Sequence, residues 1–251
     1  MLARRPLLVV LAAGLSLLAG ASAMAGETRV AVAANFTEPA KAIAAKFEAR
    51  TGHKATLSFG SSGQFYTQIA NGAPFEVFLS ADAERPARAE AEGLAVAGAR
   101  FTYATGRLVL WSRTPGLVDA KGAVLARGKF EKLAIAEPRS APYGLAAVET
   151  LTRLGLQDTL KPKIVTGSSI TQAYQYVQTG AAELGFVALS QVIAERGGSR
   201  WVVPTSHQTP IEQQAVLLKT GAGNRAATAF LQFLKGPEAR AIIRRYGYEV
   251  R

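Results

Sequence analysis

The chain of 251 residues has no cysteine and only two histidines, His53 and His207. Without cysteine there is no disulfide, no thiolate chemistry and no lipid-carrying residue near the N-terminus. With two histidines there are few bases to activate a nucleophile, and no cluster of His and carboxylate residues has metal-ligand spacing. Long apolar runs are equally scarce. The one at 7–19 follows Arg4 and Arg5 and precedes Ala23 and Ala25, an A-x-A pattern. Residues 1–25 are therefore predicted to be a secretory signal peptide, with the mature chain beginning near Gly26. The run is shorter than the roughly 20 residues that a membrane span requires. An exported chain without disulfides must be held by packing, which about 225 residues can supply.

Acidic residues are also in deficit, 18 against 29 Lys and Arg, and loss of Arg4 and Arg5 lowers the formal charge from +11 to +9. That surplus favours anionic partners. The bases at Lys41, Lys46, Arg50, Arg85, Arg88, Arg100 and Arg113 are scattered and have no interleaved aromatics. The pattern speaks against nucleic acid and for general steering of small anions.

The remaining chain is organised around residues 57–68, LSFGSSGQFYTQ. A short apolar strand runs into Gly60, Ser61, Ser62 and Gly63 and then opens a helix. Ser61 followed by Gln64 fits a capping box. The first N–H groups of a helix lack partners within it and carry partial positive charge, so such a junction can hold an anion. Taken alone it is more simply a helix cap, but the motif recurs.

A Val-rich strand from Thr28 ends at Asn35, and a helix with Thr37 as N-cap runs to Thr51 and Gly52. A strand at 75–79 leads into a third helix that ends at Gly93. Strands alternating with helices predict an α/β fold with mostly parallel sheets covered on both faces. A crossover to a second lobe is expected near 102–106, ahead of the strand 107–112. The second lobe repeats the theme, with strands at 133–136, 163–165 and 184–188, turns at 137–144 and 166–170, and helices at 145–154 and 171–178. Residues 204–210 read as a return crossover, followed by a strand at 214–218 and a helix at 225–234. The expected division is 26–104 with 207–251 in lobe 1, and 105–206 in lobe 2.

Four strand-to-helix turns thus carry small hydrogen-bonding residues: Asn35, Ser61 with Ser62, Ser140 to Tyr143, and Ser168 with Ser169. If they converge on one cleft, a tetrahedral anion receives neutral donors from both lobes. A fully ionised oxyanion only accepts hydrogen bonds, whereas phosphate near neutral pH keeps a proton that wants an acceptor, so a site without carboxylates disfavours it. Glu137 and Arg139 share one of these turns and are expected to form an outward ion pair. Asp82 is expected to cap the helix after the third strand. Tyr174 with Tyr176, and Tyr246 with Tyr248, read as packing residues. The rival class is a secreted serine hydrolase, but the GSSG stretch does not match the G-x-S-x-G elbow, and neither histidine is placed to activate Ser61 or Ser62.

The stretches VAVAANFTEPAKAIAAKFEARTG, SFGSSGQFYTQIANGAPFEVFLSAD, EPRSAPYGLAAVETLTRLG, AELGFVALS and FLKGPEARAIIRRYGYEV carry a resemblance. Over essentially the whole mature sequence the chain resembles the molybdate-binding periplasmic proteins of ABC importers, which are two-lobed type II periplasmic binding proteins. The resemblance implies a monomeric periplasmic receptor with no catalytic activity and no resident cofactor. Its ligand would be molybdate, with tungstate nearly equal, delivered to a membrane permease; molybdenum would enter only within the oxyanion. Sulfate or another oxyanion is the alternative ligand. Position by position, the family's donors fall on Asn35, Ser62, Tyr143 and Ile170, with Ser61, Ala34 and Ser169 as weaker candidates. Tyr143 and Ile170 would act through backbone N–H groups. Some members also use a tyrosine hydroxyl in the GFVALS region, where this chain has Ala188; the Tyr143 phenol is the expected replacement.

Overall fold

The computed structural model describes residues 25–250, so all but the last residue of the predicted signal peptide lies outside the described residues. The first sheet is built from Glu27–Ala33 (β1), Lys54–Gly60 (β2), Val77–Ser80 (β3) and Phe101–Gly106 (β4). Its helices are Thr37–Thr51 (α1), Ser62–Ala70 (α2) and Glu84–Ala91 (α3). The second contains Leu108–Ser112 (β5), Leu133–Ala136 (β6), Ile164–Gly167 (β7), Leu184–Ala188 (β8) and Ser199–Val202 (β9). The helices Val124–Arg127 (α4), Pro142–Arg153 (α5), Gln157–Leu160 (α6), Ile170–Gln178 (α7) and Leu189–Val192 (α8) accompany it. The chain then returns to the first sheet through Ile211–Leu217 (β10) and ends on Arg225–Lys235 (α9) and Pro237–Arg245 (α10).

The strand orders are β2-β1-β3-β10-β4 and β7-β6-β8-β5-β9. In each sheet four strands share one direction and a single strand, β10 in the first and β5 in the second, runs opposite and pairs antiparallel with both of its neighbours. The interior strand β1 reads VAVA from Val30 to Ala33, and all four are at most 1 % exposed because helices cover both of its faces. On one face Phe47 meets Phe230 edge to face at 5.3 Å, beside Phe36 and Ile43. On the other lie Phe65, Tyr66 and Phe78. Each fully buried ring stabilises the fold by about 1.5–3 kcal/mol. The second lobe has its own core around Leu110, Trp111, Leu133 and Phe186.

Several boundaries differ from the sequence expectation. Residues 102–106, expected as a crossover, lie within strand β4, which pairs with β10. The first crossover is instead the single residue Arg107 between β4 and β5, and the return is 203–210. Strand β1 ends at Ala33, and Ala34–Phe36 forms a 3-10 turn that leads into α1. The N-cap of α1 is therefore Phe36, and Thr37 is already helical, its hydroxyl donating to the Ala34 carbonyl at 2.8 Å. Helix α5 starts at Pro142 rather than residue 145, because proline at the first helical position needs no N–H partner. Helix α7 likewise begins one residue early, at Ile170.

Candidate binding site between the lobes

The carboxyl ends of β1, β2 and β6 point toward the line where the lobes meet, and the helices that follow all start there. The turn at Ala34–Phe36 and the first residues of α2, α5 and α7 surround one small cavity. Its walls are Ala33, Ala34, Asn35, Ser61, Ser62, Ala81, Ala141, Pro142, Tyr143 and Ile170. The cavity measures about 10 Å³, close to the size of a single water on a scale where one takes about 10–15 Å³. None of these ten residues is charged.

Asn35, Ser62, Tyr143 and Ile170 are thus brought together from two lobes, with Ser61 and Ala34 beside them. The N–H groups of Ser62, Tyr143 and Ile170 make no backbone hydrogen bond among the described residues. Helix geometry leaves them pointing out of the N-terminal ends. Ser62 Oγ accepts from Ala81 N at 2.9 Å, which orients the hydroxyl and leaves its proton available. Ser61 makes half of the expected capping box: its N–H donates to Gln64 Oε1 at 3.3 Å, while its buried Oγ has no partner. That hydroxyl is the least committed polar group in the cavity.

Three of the expected donors have other partners in this structure. Asn35 Nδ2 donates to Gln213 Oε1 and to the Tyr248 hydroxyl, both at 2.9 Å, so both amide protons are taken and any contribution to a ligand comes from the backbone. Ser169 does not line the cavity; its Oγ accepts from Gln172 N at 3.3 Å as the N-cap of α7. The Tyr143 phenol reaches past the cavity to the crossover, where Gln213 Nε2 donates to it at 3.3 Å. There it lies so close to Gly106 that a Cβ on that glycine would sit 2.0 Å from the phenol oxygen. Ala188 N donates to Gln191 Oε1, and Ala188 brings no side-chain donor.

The lobes touch around the cavity. Gly63 N donates to Ser140 O at 2.8 Å, Arg85 Nη2 to Arg139 O at 3.0 Å, and Ser190 Oγ to Asn35 O at 2.8 Å. Charges at the rim are paired off. Arg139 holds Glu137 at 3.0 Å on the outside, as expected, and that hydrogen bond keeps the carboxyl below its ordinary range. Asp82 accepts from Arg85 N at 2.9 Å at the start of α3 and forms an ion pair with the Arg85 guanidinium.

His53 accepts from Gly26 N through Nδ1 at 2.9 Å, and His207 packs edge-on against Trp201 at 5.9 Å. Neither lines the cavity, so no imidazole stands beside Ser61 or Ser62. Among the described residues no group of side chains has the makeup of a metal site, and no helix is long and apolar enough to cross a membrane.

Sequence reasoning missed the layer behind the cavity. Gln213, Tyr103, Tyr248 and Ser190 are buried there and bond to one another or to Asn35. The one local signal is a pair of glutamines inside the otherwise apolar strand IEQQAVL. Burial raises the phenols of Tyr103 and Tyr143 well above the ordinary tyrosine range, and that of Tyr248 to about 12. The unfolded chain ionises these groups near pH 10 and the folded chain does not. Their stabilisation is complete below pH 10 and is lost as pH rises toward the folded values. With three such protons the slope steepens above pH 10 toward a limit of about −4 kcal/mol per pH unit. Urea denaturation at pH 9 and at pH 11 is expected to show this fall, and Tyr248→Phe is expected to make it shallower.

Known proteins resemble this chain over most of its length. The sequence matches the family of bacterial extracellular solute-binding proteins over residues 28–249. It is 62 % identical over 226 residues to the molybdate-binding protein ModA of Rhodobacter capsulatus, covering 90 % of this chain and 89 % of that one. Against the molybdate-binding protein ModA of Azotobacter vinelandii it is 57 % identical over 243 residues, covering 96 % of each. Among solved structures, the Azotobacter vinelandii periplasmic molybdate-binding protein superposes with a TM-score of 0.86 at 46 % identity, over 89 % of this chain and 99 % of that one. These relatives are solute-binding proteins and not enzymes. The chain belongs to the bacterial extracellular solute-binding protein family, alongside the molybdate-binding proteins of ABC importers.

Proposed function

We propose that the protein is a monomeric periplasmic receptor that closes its two lobes around molybdate, or tungstate by the same contacts, and delivers it to an ABC permease. The observation that carries this reading is an uncharged cavity where helix starts from both lobes meet, which Ser61 and Ser62 line and no carboxylate enters. Partial positive charge at those helix ends suits a dianion, and donors from both lobes reward closure. The absence of an acceptor charge disfavours a protonated oxyanion. Residues 1–25 supply the export signal in this reading, and no cofactor takes part.

The test is calorimetric titration of the mature, ligand-stripped protein with molybdate, tungstate, sulfate and phosphate at matched ionic strength, since a basic protein attracts any anion weakly. One-to-one binding of molybdate and tungstate is expected, with sulfate and phosphate silent. Heat from sulfate alone would reassign the ligand, and silence from all four would end the oxyanion reading. Ser62→Ala is expected to weaken molybdate binding about 10–100-fold, the value of one hydrogen bond to a charged group.

A further inference from the structure

Behind the cavity, the Gln213 side chain bonds to both lobes, as does the Tyr248 hydroxyl. Gln213 is fully buried on β10, the strand that follows the return crossover. Its Oε1 accepts from Asn35 Nδ2 at 2.9 Å and from the Tyr103 hydroxyl at 3.0 Å, both in lobe 1. Its Nε2 donates to the Tyr143 hydroxyl at 3.3 Å, in lobe 2. A carboxamide can do this because it accepts at one end and donates at the other. The pairing of β10 with β4 shifts register between Gln213 and Gln214, an irregularity of the kind that re-aims side chains.

We propose that Gln213 is a positioning residue that couples an occupied cavity to the closed arrangement of the lobes. It does not line the cavity, but Asn35 and Tyr143 do, one from each lobe. Gln213 and Tyr248 together hold the Asn35 amide from behind, which fixes the turn whose backbone faces the ligand. On the other side, Tyr143 is pinned between Gln213 and the backbone of Gly106, at the residue before the first crossover. The start of α5, with the Tyr143 N–H, is thereby held at a set distance from the Asn35 turn. Parting the lobes breaks the Gln213–Tyr143 bond, so this bond and the ligand favour the same arrangement. The inference rests on the oxyanion reading of the cavity.

The absence of native cysteine makes a direct test convenient. Gln68→Cys on α2 and Gln175→Cys on α7, both exposed, place one spin label on each lobe. The distance between labels is measured without ligand and with saturating molybdate, alongside calorimetric affinity. In the otherwise native chain, molybdate is expected to narrow the distribution to one short distance. Ser62→Ala is expected to lower affinity yet close fully at saturation. Gln213→Met and Tyr143→Phe are expected to lower affinity about 10-fold or more and to leave a substantial open population at saturation. Tyr143→Phe removes the phenol's bond to Gln213 and keeps the ring, so it remains informative if Gln213→Met fails to fold. If both variants close as the native chain does, with unchanged affinity, the coupling role is overturned and the receptor reading stands. If the native chain neither binds nor closes with molybdate, the receptor reading fails and takes the coupling role with it.

Discussion

Gly63→Ala is expected to cut molybdate affinity by about 100-fold while leaving the ligand-free protein as stable as before or slightly more so. The glycine is the second residue of α2, and its N–H donates to Ser140 O across the lobe boundary at 2.8 Å. A Cβ built on it would lie 2.8 Å from Ser140 Cα, 3.0 Å from Ser140 O and 3.1 Å from Ser140 Cβ. Two of those atoms are backbone, held by the turn before α5, and cannot rotate away. The added methyl therefore acts on the closed arrangement alone, where overpacking costs about 1–3 kcal/mol, and it also lengthens the interlobe hydrogen bond. With the lobes apart the same methyl meets solvent, and alanine in a helix is favoured over glycine by up to about 1 kcal/mol. Calorimetry and thermal melting of the ligand-free protein separate the two effects. Unchanged affinity would mean that the lobes do not approach this closely when the ligand is bound.

Ser61→Asp is expected to abolish molybdate binding, whereas Ser61→Asn is expected to stay within about 10-fold of the native affinity. Both replacements are good N-caps, so α2 keeps its start in either. They match in size and differ by one charge, placed at a cavity wall that has none. At about 4 Å and an effective dielectric near 20, each pair of like unit charges costs about 4 kcal/mol, and a dianion meets the carboxylate with two. A loss of at least about 1000-fold relative to Ser61→Asn follows. The carboxylate would also accept the proton that hydrogen phosphate carries, so the Asp variant is expected to shift its relative preference from molybdate toward phosphate. Equal affinities for the Asp and Asn variants would show that Ser61 does not face the ligand.

Much of this site was readable because it is local. A strand, one or two small polar residues and a helix start lie within ten residues of each other at each of the four turns, and the alternation of strands and helices places those turns at one edge. Most of the partners that the sequence does not reveal lie far along the chain. Asn35 looks like a donor until Gln213 and Tyr248, 178 and 213 residues away, take both of its amide protons. Residues 102–106 read as a crossover, with their threonines and terminal glycine, because the strand that pairs with them is not made until residue 211. Ser169 looks like a sibling of Ser61, but Gln172 N occupies its oxygen, whereas nothing occupies that of Ser61. Tyr248, read as packing, is buried as packing residues are, yet its hydroxyl bonds Asn35 O at 2.8 Å and Ser190 Oγ at 3.0 Å.

The position of β10 also dictates an order of assembly. Residues 108–202 form one unbroken segment, so the second lobe can complete its sheet as soon as that segment is available. The first lobe cannot, because β10 lies between β3 and β4 and pairs Ala215 with Leu79. Closing so long a loop is entropically slow, and it must wait for nearly the whole chain. A chain emerging N-terminus first therefore carries a finished second lobe beside an open-edged first one, and the interlobe bond of Gln213 is among the last contacts it can make.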